Sequence, residues 1–351
     1  MTAAKKNNSR RKSAKFRRSR KKRIQKTILL VLLLIFLGGA GIGSIYLLRN
    51  GTLFGKLDEP YMASREFSGG ITGTDSLRAD GFAKKLCVVV SDVPMDGVSL
   101  GENQKGLLLD LDDRQVLYSK QALEKVYPAS ITKIMTAMLA LKYGNMDDVV
   151  TITQENLDLE SGSQVCGFWA GDQVTMDQLV HCLLVYSGND AASAIATHVG
   201  GTTEGFVEMM NSFAKELGCT GTHFTNPHGL QDENHYTTPY DIYLMLKEAL
   251  NYPEFTQITQ MGSYTVEYTH ADGSSASTTL TATDHYLTGE ATPPKNVTIL
   301  GGKTGTTDNA GNCLALLSQN AYGKPYISIV MGASTKDELY QQMSSLLQNI
   351  N

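Results

Sequence analysis

The chain has 351 residues, and its formal net charge of −4 conceals a basic head and an acidic remainder. With the thirteen basic residues from Lys5 to Lys26 and Arg49 set aside, 17 Lys and Arg face 35 Asp and Glu, about −18, which argues against nucleic acid as a partner. Five cysteines without a Cys-x-x-Cys pair (Cys87, Cys166, Cys182, Cys219 and Cys313) exclude a disulfide framework and read as mostly buried thiols. No His-Glu-x-x-His or similar spacing occurs among the seven histidines, so no metal or cofactor is expected, and His223 and His228, flanking Asn-Pro, read as structural.

In chain order, residues 1–26 form a basic tail without an acid, and Thr27 to Leu48 is an uncharged apolar run of about 22 residues. As a helix it spans roughly 33 Å, enough for a bilayer core of about 30 Å. The preceding positive charge predicts a single-pass anchor with a cytoplasmic N-terminus and everything after it extracytoplasmic. The apolar continuation Ile45-Tyr-Leu-Leu48 favours a retained anchor over a cleaved signal peptide. Residues 49–85, with Ser68-Gly-Gly-Ile-Thr-Gly-Thr, read as a flexible tether, and residues 86–351 as one domain, ample for a stable core.

Within that domain Leu86 to Val90, Gly106 to Asp110 and Gln115 to Tyr118 read as strands, the last two joined by a turn at Asp112-Asp113. Pro128 then precedes Ser130-Ile-Thr-Lys133 and an apolar run at helical spacing, which places Ser130 in the first turn of a helix with the Lys133 amine three residues on. A serine nucleophile needs a base, and lysine serves only where burial and nearby positive charge depress its pKa from about 10.4. Mostly helical stretches follow to about Leu250, a helical subdomain over roughly 140–250. Within them Ser187-Gly-Asn189 lies at a tight turn between two helices, offering a hydroxyl and a carboxamide. Ser263 to Thr269 and Thr278 to Thr283 flank a turn. Val297 to Gly302 reads as a strand leading into Lys303-Thr304-Gly305, where Gly301, Gly302 and Gly305 are expected to leave room for another backbone to approach, so that a substrate could lie alongside as an added strand. Cys313 to Ser318 and Tyr326 to Ala333 read as strands, and the segment after Thr335 as a closing helix that turns Leu339, Met343, Leu346 and Leu347 to the sheet. Strands at both ends of a helical middle imply an α+β fold, an antiparallel sheet flanked by helices with an inserted helical subdomain. Each triplet alone is common; the three in this order point to a serine acyl-transfer site, with Lys303 supplying charge near Lys133.

With the segments Tyr127 to Ala137, Tyr186 to Ala192, Thr222 to Leu230, His235 to Asp241 and Gly302 to Gly311, the chain resembles the D-alanyl-D-alanine carboxypeptidases, low-molecular-mass penicillin-binding proteins of the serine peptidase class, from about Gly106 to Ser334. The resemblance implies a β-lactamase/transpeptidase-like fold and a peptidoglycan stem peptide ending in D-Ala-D-Ala as substrate, with β-lactams as inhibitors. It implies that Ser130 is the nucleophile, Lys133 its base and Ser187 the proton relay to the leaving amine. Asn189 would orient the acyl chain. Lys303 and Thr304, with Thr307, would hold the terminal carboxylate beside Gly305, and the N–H groups of Ser130 and Thr306 would form the oxyanion hole. Thr306 stands where carboxypeptidases of the family often carry Tyr, Phe or His, and Thr there is common in the transpeptidases. The chain also stops where relatives commonly continue into a small β-rich domain and an anchoring helix. Three rivals share the logic: a D,D-endopeptidase, a class A β-lactamase and a non-enzymatic penicillin-binding sensor. The β-lactamase calls for a Glu-x-x-Leu-Asn segment, and none occurs between Ser187 and Lys303.

Overall fold

The computed structural model describes residues 85–350. The expected basic tail, membrane span at 27–48 and tether lie outside the described residues. Among the described residues no helix is long and apolar enough to cross a membrane.

Among the described residues, nine strands form two antiparallel sheets. The larger has the order β2-β1-β9-β8-β7, from β1 (Lys105–Asp110), β2 (Gln115–Lys120), β7 (Thr298–Thr307), β8 (Gly311–Gln319) and β9 (Pro325–Ala333). Successive strand residues point to opposite faces, and here both faces are covered. Leu107, Leu109, Ala315, Leu317, Ile327 and Ile329 face the larger core, while Leu108, Leu314, Leu316 and Val330 face the smaller one. That double burial is why β8 and β9 are near-continuous apolar runs. The last helix, α8 (Lys336–Leu347), closes the smaller face with Leu339, Met343, Leu346 and Leu347 buried, as its spacing predicts. Thr335 caps it by accepting the Glu338 N–H at 3.1 Å.

The other face carries the helical part. Its centre is α1 (Lys133–Tyr143), in which every residue from Lys133 to Ala140 is buried, so it is an interior helix rather than an amphipathic one. Around it lie α2 (Met176–His181), α3 (Asn189–Gly200), α4 (Thr203–Glu216), α5 (Pro239–Ala249) and α6 (Pro253–Thr259), with α3 and α5 against α1. Thr238 caps α5 and Pro239 occupies its first position, where a missing N–H costs nothing. A short helix, α7 (His285–Thr288), precedes β7.

Two expectations are corrected. Leu86 to Val90 is not a strand. Cys87 and Val89 are buried while Val88 and Val90 are exposed, the alternation of a strand. The backbone, however, finds its partners in side chains: Tyr243 Oη accepts the Cys87 N–H at 2.9 Å, and Tyr240 Oη donates to the Cys87 carbonyl at 3.0 Å. The chain also has a second, four-stranded sheet, β3-β4-β5-β6, where one sheet was expected. Its β3 (Val149–Thr151) and β4 (Gln173–Thr175) are three residues each, too short for an alternation to register. They join the hairpin of β5 (Ser263–Thr269) and β6 (Ser275–Thr281), whose register pairs Ser263 with Thr281 and Thr269 with Ser275. Thr283 lies beyond the ladder and its N–H goes to the Val185 carbonyl at 3.3 Å.

Replacing Tyr243, which is fully buried, by Phe leaves the Cys87 N–H without its acceptor. We expect Tyr243→Phe to lower unfolding stability by about 1–3 kcal/mol, read as a lower urea midpoint at unchanged slope; an unchanged midpoint would mean that water replaces the hydroxyl.

Candidate active site

The three sequence motifs meet in a cleft of 320 Å³ between the end of the larger sheet and the helical part. Ser130, Ser187, Asn189, Thr304, Gly305, Thr306 and Thr307 all line it. Lys133 and Lys303 are not on its surface; both are buried, at 0% and 1% exposure.

Ser130 sits one turn ahead of the helix expected to hold it. Residues Ala129–Thr132 form a 3₁₀ turn, and α1 proper starts at Lys133. Ala129 has φ 48°, a left-handed conformation that a non-glycine residue seldom adopts. Two close approaches hold this turn. The Gly305 backbone of β7 lies so near that a Cβ there would come within 2.9 Å of both the Pro128 oxygen and the Ser130 nitrogen. From the other side Gly229, at φ +88°, leaves no room for a Cβ, which would meet the Ala129 oxygen at 1.9 Å. The glycines of β7 therefore leave room for other backbone to approach, as expected, and that backbone is the protein's own: Gly301 accommodates Thr259, Gly302 accommodates β8, and Gly305 the turn that carries Ser130. An added strand still has a place to pair, because β7 ends the sheet with β8 as its one neighbour.

Lys133 is the hub. Its Nζ lies 2.9 Å from Ser130 Oγ, 2.7 Å from Asn189 Oδ1 and 2.8 Å from the His228 carbonyl oxygen. Burial, followed by the field of Lys303, pulls its pKa well below the usual lysine value. In the neutral amine two N–H groups and one lone pair remain. The Asn189 and His228 oxygens can only accept, so both hydrogens go to them and the lone pair is left facing the Ser130 hydroxyl.

Ser187 owes its place to an irregular helix end. A π-helical turn, Cys182–Tyr186, follows α2, and Ser187 then adopts φ 71° and ψ 33° before α3 begins at Asn189. The Gly188 N–H donates to the Cys182 carbonyl at 3.2 Å, and Asn189 N–H to the Gln164 carbonyl at 2.8 Å. Asp190 takes the Cys166 N–H on both oxygens, at 3.0 and 2.8 Å, which fastens residues 162–167 to this turn and makes Gly162, Ser163 and Gln164 a wall of the cleft.

On β7, Lys303 Nζ donates to the Thr304 carbonyl at 3.0 Å, and burial brings its pKa to about 7, opposed by the negative charge of Asp284. Asp284 is itself buried; its Oδ1 accepts from the Tyr286 N–H at 3.0 Å and from Tyr340 Oη at 3.2 Å, while Oδ2 has no protein partner. Thr304 Oγ1 is 2.5 Å from Thr283 Oγ1, Thr306 Oγ1 donates to Asn312 Oδ1 at 3.1 Å, and Thr307 Oγ1 accepts the Ala310 N–H at 3.1 Å. Residues 162–166, Thr283, Asp284 and Asn312 had no motif to announce them, although the Asp that follows Ser187-Gly-Asn189 was a signal for a loop clamp. His228 and His235 are neutral imidazoles under the turn that carries Ser130, lowered by burial to about 3 and about 4. All five cysteines are buried and free. Among the described residues no group of His, Cys, Asp or Glu is arranged to hold a metal ion.

A family model described as D-alanyl-D-alanine carboxypeptidase matches residues 101–335. The chain is 36% identical to D-alanyl-D-alanine carboxypeptidase DacF of Bacillus subtilis over 251 residues, covering 70% of this chain and 61% of the relative. To DacC of Escherichia coli it is 33% identical, covering 69% and 59%. It thus spans about three fifths of the length of the curated relatives it matches. Among solved structures, a serine-to-alanine mutant of the Streptomyces K15 DD-transpeptidase superposes with a TM-score of 0.66 at 26% identity, over 73% of this chain and 98% of that one. A Mycobacterium tuberculosis D-alanyl-D-alanine carboxypeptidase gives 0.63 at 28%, over 73% and 92%.

Asp284→Asn removes the charge that helps Lys303 keep its proton. Its pKa should fall further below about 7, and with less positive charge nearby that of Lys133 should rise. Titration of the lysine side-chain carbons by NMR reads both directions; a Lys303 midpoint that stays or rises would show that Asp284 does not act on it.

Proposed function

The chain belongs to the D-alanyl-D-alanine carboxypeptidase family, and from that membership we propose that it removes the terminal D-alanine from peptidoglycan stem pentapeptides through an acyl-enzyme on Ser130. The observation that carries the reading is the Lys133 amine, buried and depressed in pKa, with its lone pair on Ser130 and its hydrogens committed elsewhere.

In this mechanism the Lys133 lone pair takes the Ser130 proton as Oγ attacks the carbonyl of the penultimate D-alanine. The oxyanion forms against the N–H groups of Ser130 and Thr306, which the close approach of Gly305 to Ser130 brings near each other. Ser187 passes the proton to the departing amine, the bond to the terminal D-alanine breaks, and the acyl chain stays on Ser130 with its amide held by Asn189. Water then enters, gives a proton back through the same relay and releases the shortened peptide. Lys303 lies beneath the cleft, where its positive charge serves twice, drawing the substrate's carboxylate toward Thr304 and Thr307 and keeping Lys133 deprotonated. The substrate backbone pairs with the free edge of β7. A β-lactam offers the same carbonyl and carboxylate, and its ring-opened acyl group blocks Ser130. We place this domain on the extracytoplasmic side of the membrane, held by residues 27–48; the reading is supported by their uncharged apolar run behind thirteen basic residues.

The test is release of free D-alanine from an acyl-Lys-D-Ala-D-Ala tripeptide. Ser130→Ala should abolish it, Lys133→Ala should lower kcat/KM by about 10³-fold, and penicillin should stop it in the wild type. Because only the neutral amine offers a lone pair, the rate should rise with pH through the Lys133 pKa. Release that survives Ser130→Ala would end the proposal, and penicillin labelling without release would turn it toward cross-linked peptide as substrate.

A further inference from the structure

The strained turn before the nucleophile is tied to a buried imidazole through one directed chain of hydrogen bonds. The Ala129 carbonyl oxygen accepts from Thr132 Oγ1 at 2.8 Å. Thr132 Oγ1 in turn lies 2.8 Å from His235 Nε2, and on the far side of the ring Nδ1 lies 3.1 Å from the Thr225 nitrogen. A backbone N–H can only donate, so Nδ1 accepts and the ring hydrogen sits on Nε2. That hydrogen goes to Thr132 Oγ1, whose own hydrogen goes to the Ala129 carbonyl. Each group has one role. Ala129, Thr132 and His235 are 1%, 1% and 2% exposed, so the chain lies out of reach of bulk solvent.

The same ring holds the opposite wall. Thr225 opens the loop to Leu230, in which the His228 carbonyl accepts from Lys133 Nζ and Gly229 presses against the Ala129 oxygen. Thr136 Oγ1 donates to the Pro227 carbonyl at 2.5 Å in the same loop. His235 therefore links the two pieces of backbone whose spacing sets the distance from the Ser130 hydroxyl to the Lys133 amine.

We propose that His235 is a positioning residue for acyl transfer: it fixes the left-handed Ala129 and with it Ser130 through Thr132, and fixes the His228 carbonyl that takes one hydrogen of Lys133 through Thr225. It touches no reacting atom. The inference rests on the serine acyl-transfer reading and adds to it a residue that the catalytic triplets do not contain. A histidine that merely fills the core would be replaced by an isosteric apolar side chain at little cost to chemistry. A positioning histidine is not, because leucine orphans the Thr225 N–H and releases the Thr132 hydroxyl from its orientation.

The experiment is acylation of the full chain by a fluorescent penicillin, with the acylation rate constant separated from the dissociation constant of the preceding complex. His235→Leu should lower the rate constant by about ten-fold or more with the dissociation constant unchanged, and His235→Gln, whose amide N–H reaches the Nε2 position, should return to within about three-fold of wild type. Thr132→Val, which cuts the Thr132 link and leaves the Thr225 link, should slow acylation by no more than His235→Leu, and the double variant should be no slower than His235→Leu alone. A folded His235→Leu variant that acylates at the wild-type rate, or a Gln variant no better than Leu, overturns the role. On the wild type itself, ¹⁵N NMR should find the Nε2–H tautomer of His235, and the Nδ1–H tautomer would overturn the proposal without any variant having to fold. A wild-type chain that penicillin does not acylate would overturn the acyl-transfer reading instead, so the two failures are distinct.

Discussion

Everything in the cleft is arranged around one amine that has been taken out of water. Removing an ammonium group from solvent is costly, and a protein tolerates it by satisfying every hydrogen or by letting the group lose its proton. Lys133 has both provisions. Its three oxygen neighbours come from three separate pieces of chain: the turn before α1, the first residue of α3 and the loop at His228. One buried nitrogen thus fixes the relative placement of the Ser130 hydroxyl, the Asn189 carboxamide and the His228 loop, and the strain in the surrounding backbone is what that convergence demands.

Two of the five left-handed non-glycine residues among those described lie where convergence is tightest. Ala129 and Ser187 both adopt left-handed conformations, one immediately before the nucleophile and the other at the second serine. Neither is glycine, although glycine would reach such angles freely. A side chain at Ser187 is needed for its hydroxyl, and the methyl of Ala129 is buried. Glycine appears instead at the positions that press on the first of these turns, Gly229 and Gly305, where missing side chains let backbones come into contact. Such conformations persist when surrounding structure over-determines them. Here the support comes from the edge of a doubly covered sheet and from an interior helix.

Much of this is legible in the sequence because it is local. The three triplets lie next to a proline, a small-residue helix or a strand end, and β8, β9 and α8 carry burial patterns that few other structures fit. What fails to show is whatever depends on partners far along the chain. Leu86 to Val90 has the composition of a strand, but its hydrogen bonds go to Tyr240 and Tyr243, over 150 residues away. The strands β3 and β4 are too short to show a period, and they exist because the β5–β6 hairpin offers an edge. His235 and Asp284 act from beneath the surface on groups they do not adjoin in sequence. No triplet names them, although His235 lies in a segment that resembles the family. Gly301, Gly302 and Gly305 were recognisable as points of close approach, but the sequence did not tell which backbone approaches.

Lys133 and Lys303 have a further consequence when considered together. Among the described residues neither forms a salt bridge, and the positive charge of Lys303 makes it harder for Lys133 to hold a proton. An anion entering the cleft is the missing countercharge. It favours the protonated form of Lys303, and a fully charged Lys303 presses the remaining proton off Lys133. Under the proposed mechanism occupancy therefore favours the neutral Lys133 and the charged Lys303 that acyl transfer uses. By linkage, any ligand that does so also makes the folded chain harder to unfold.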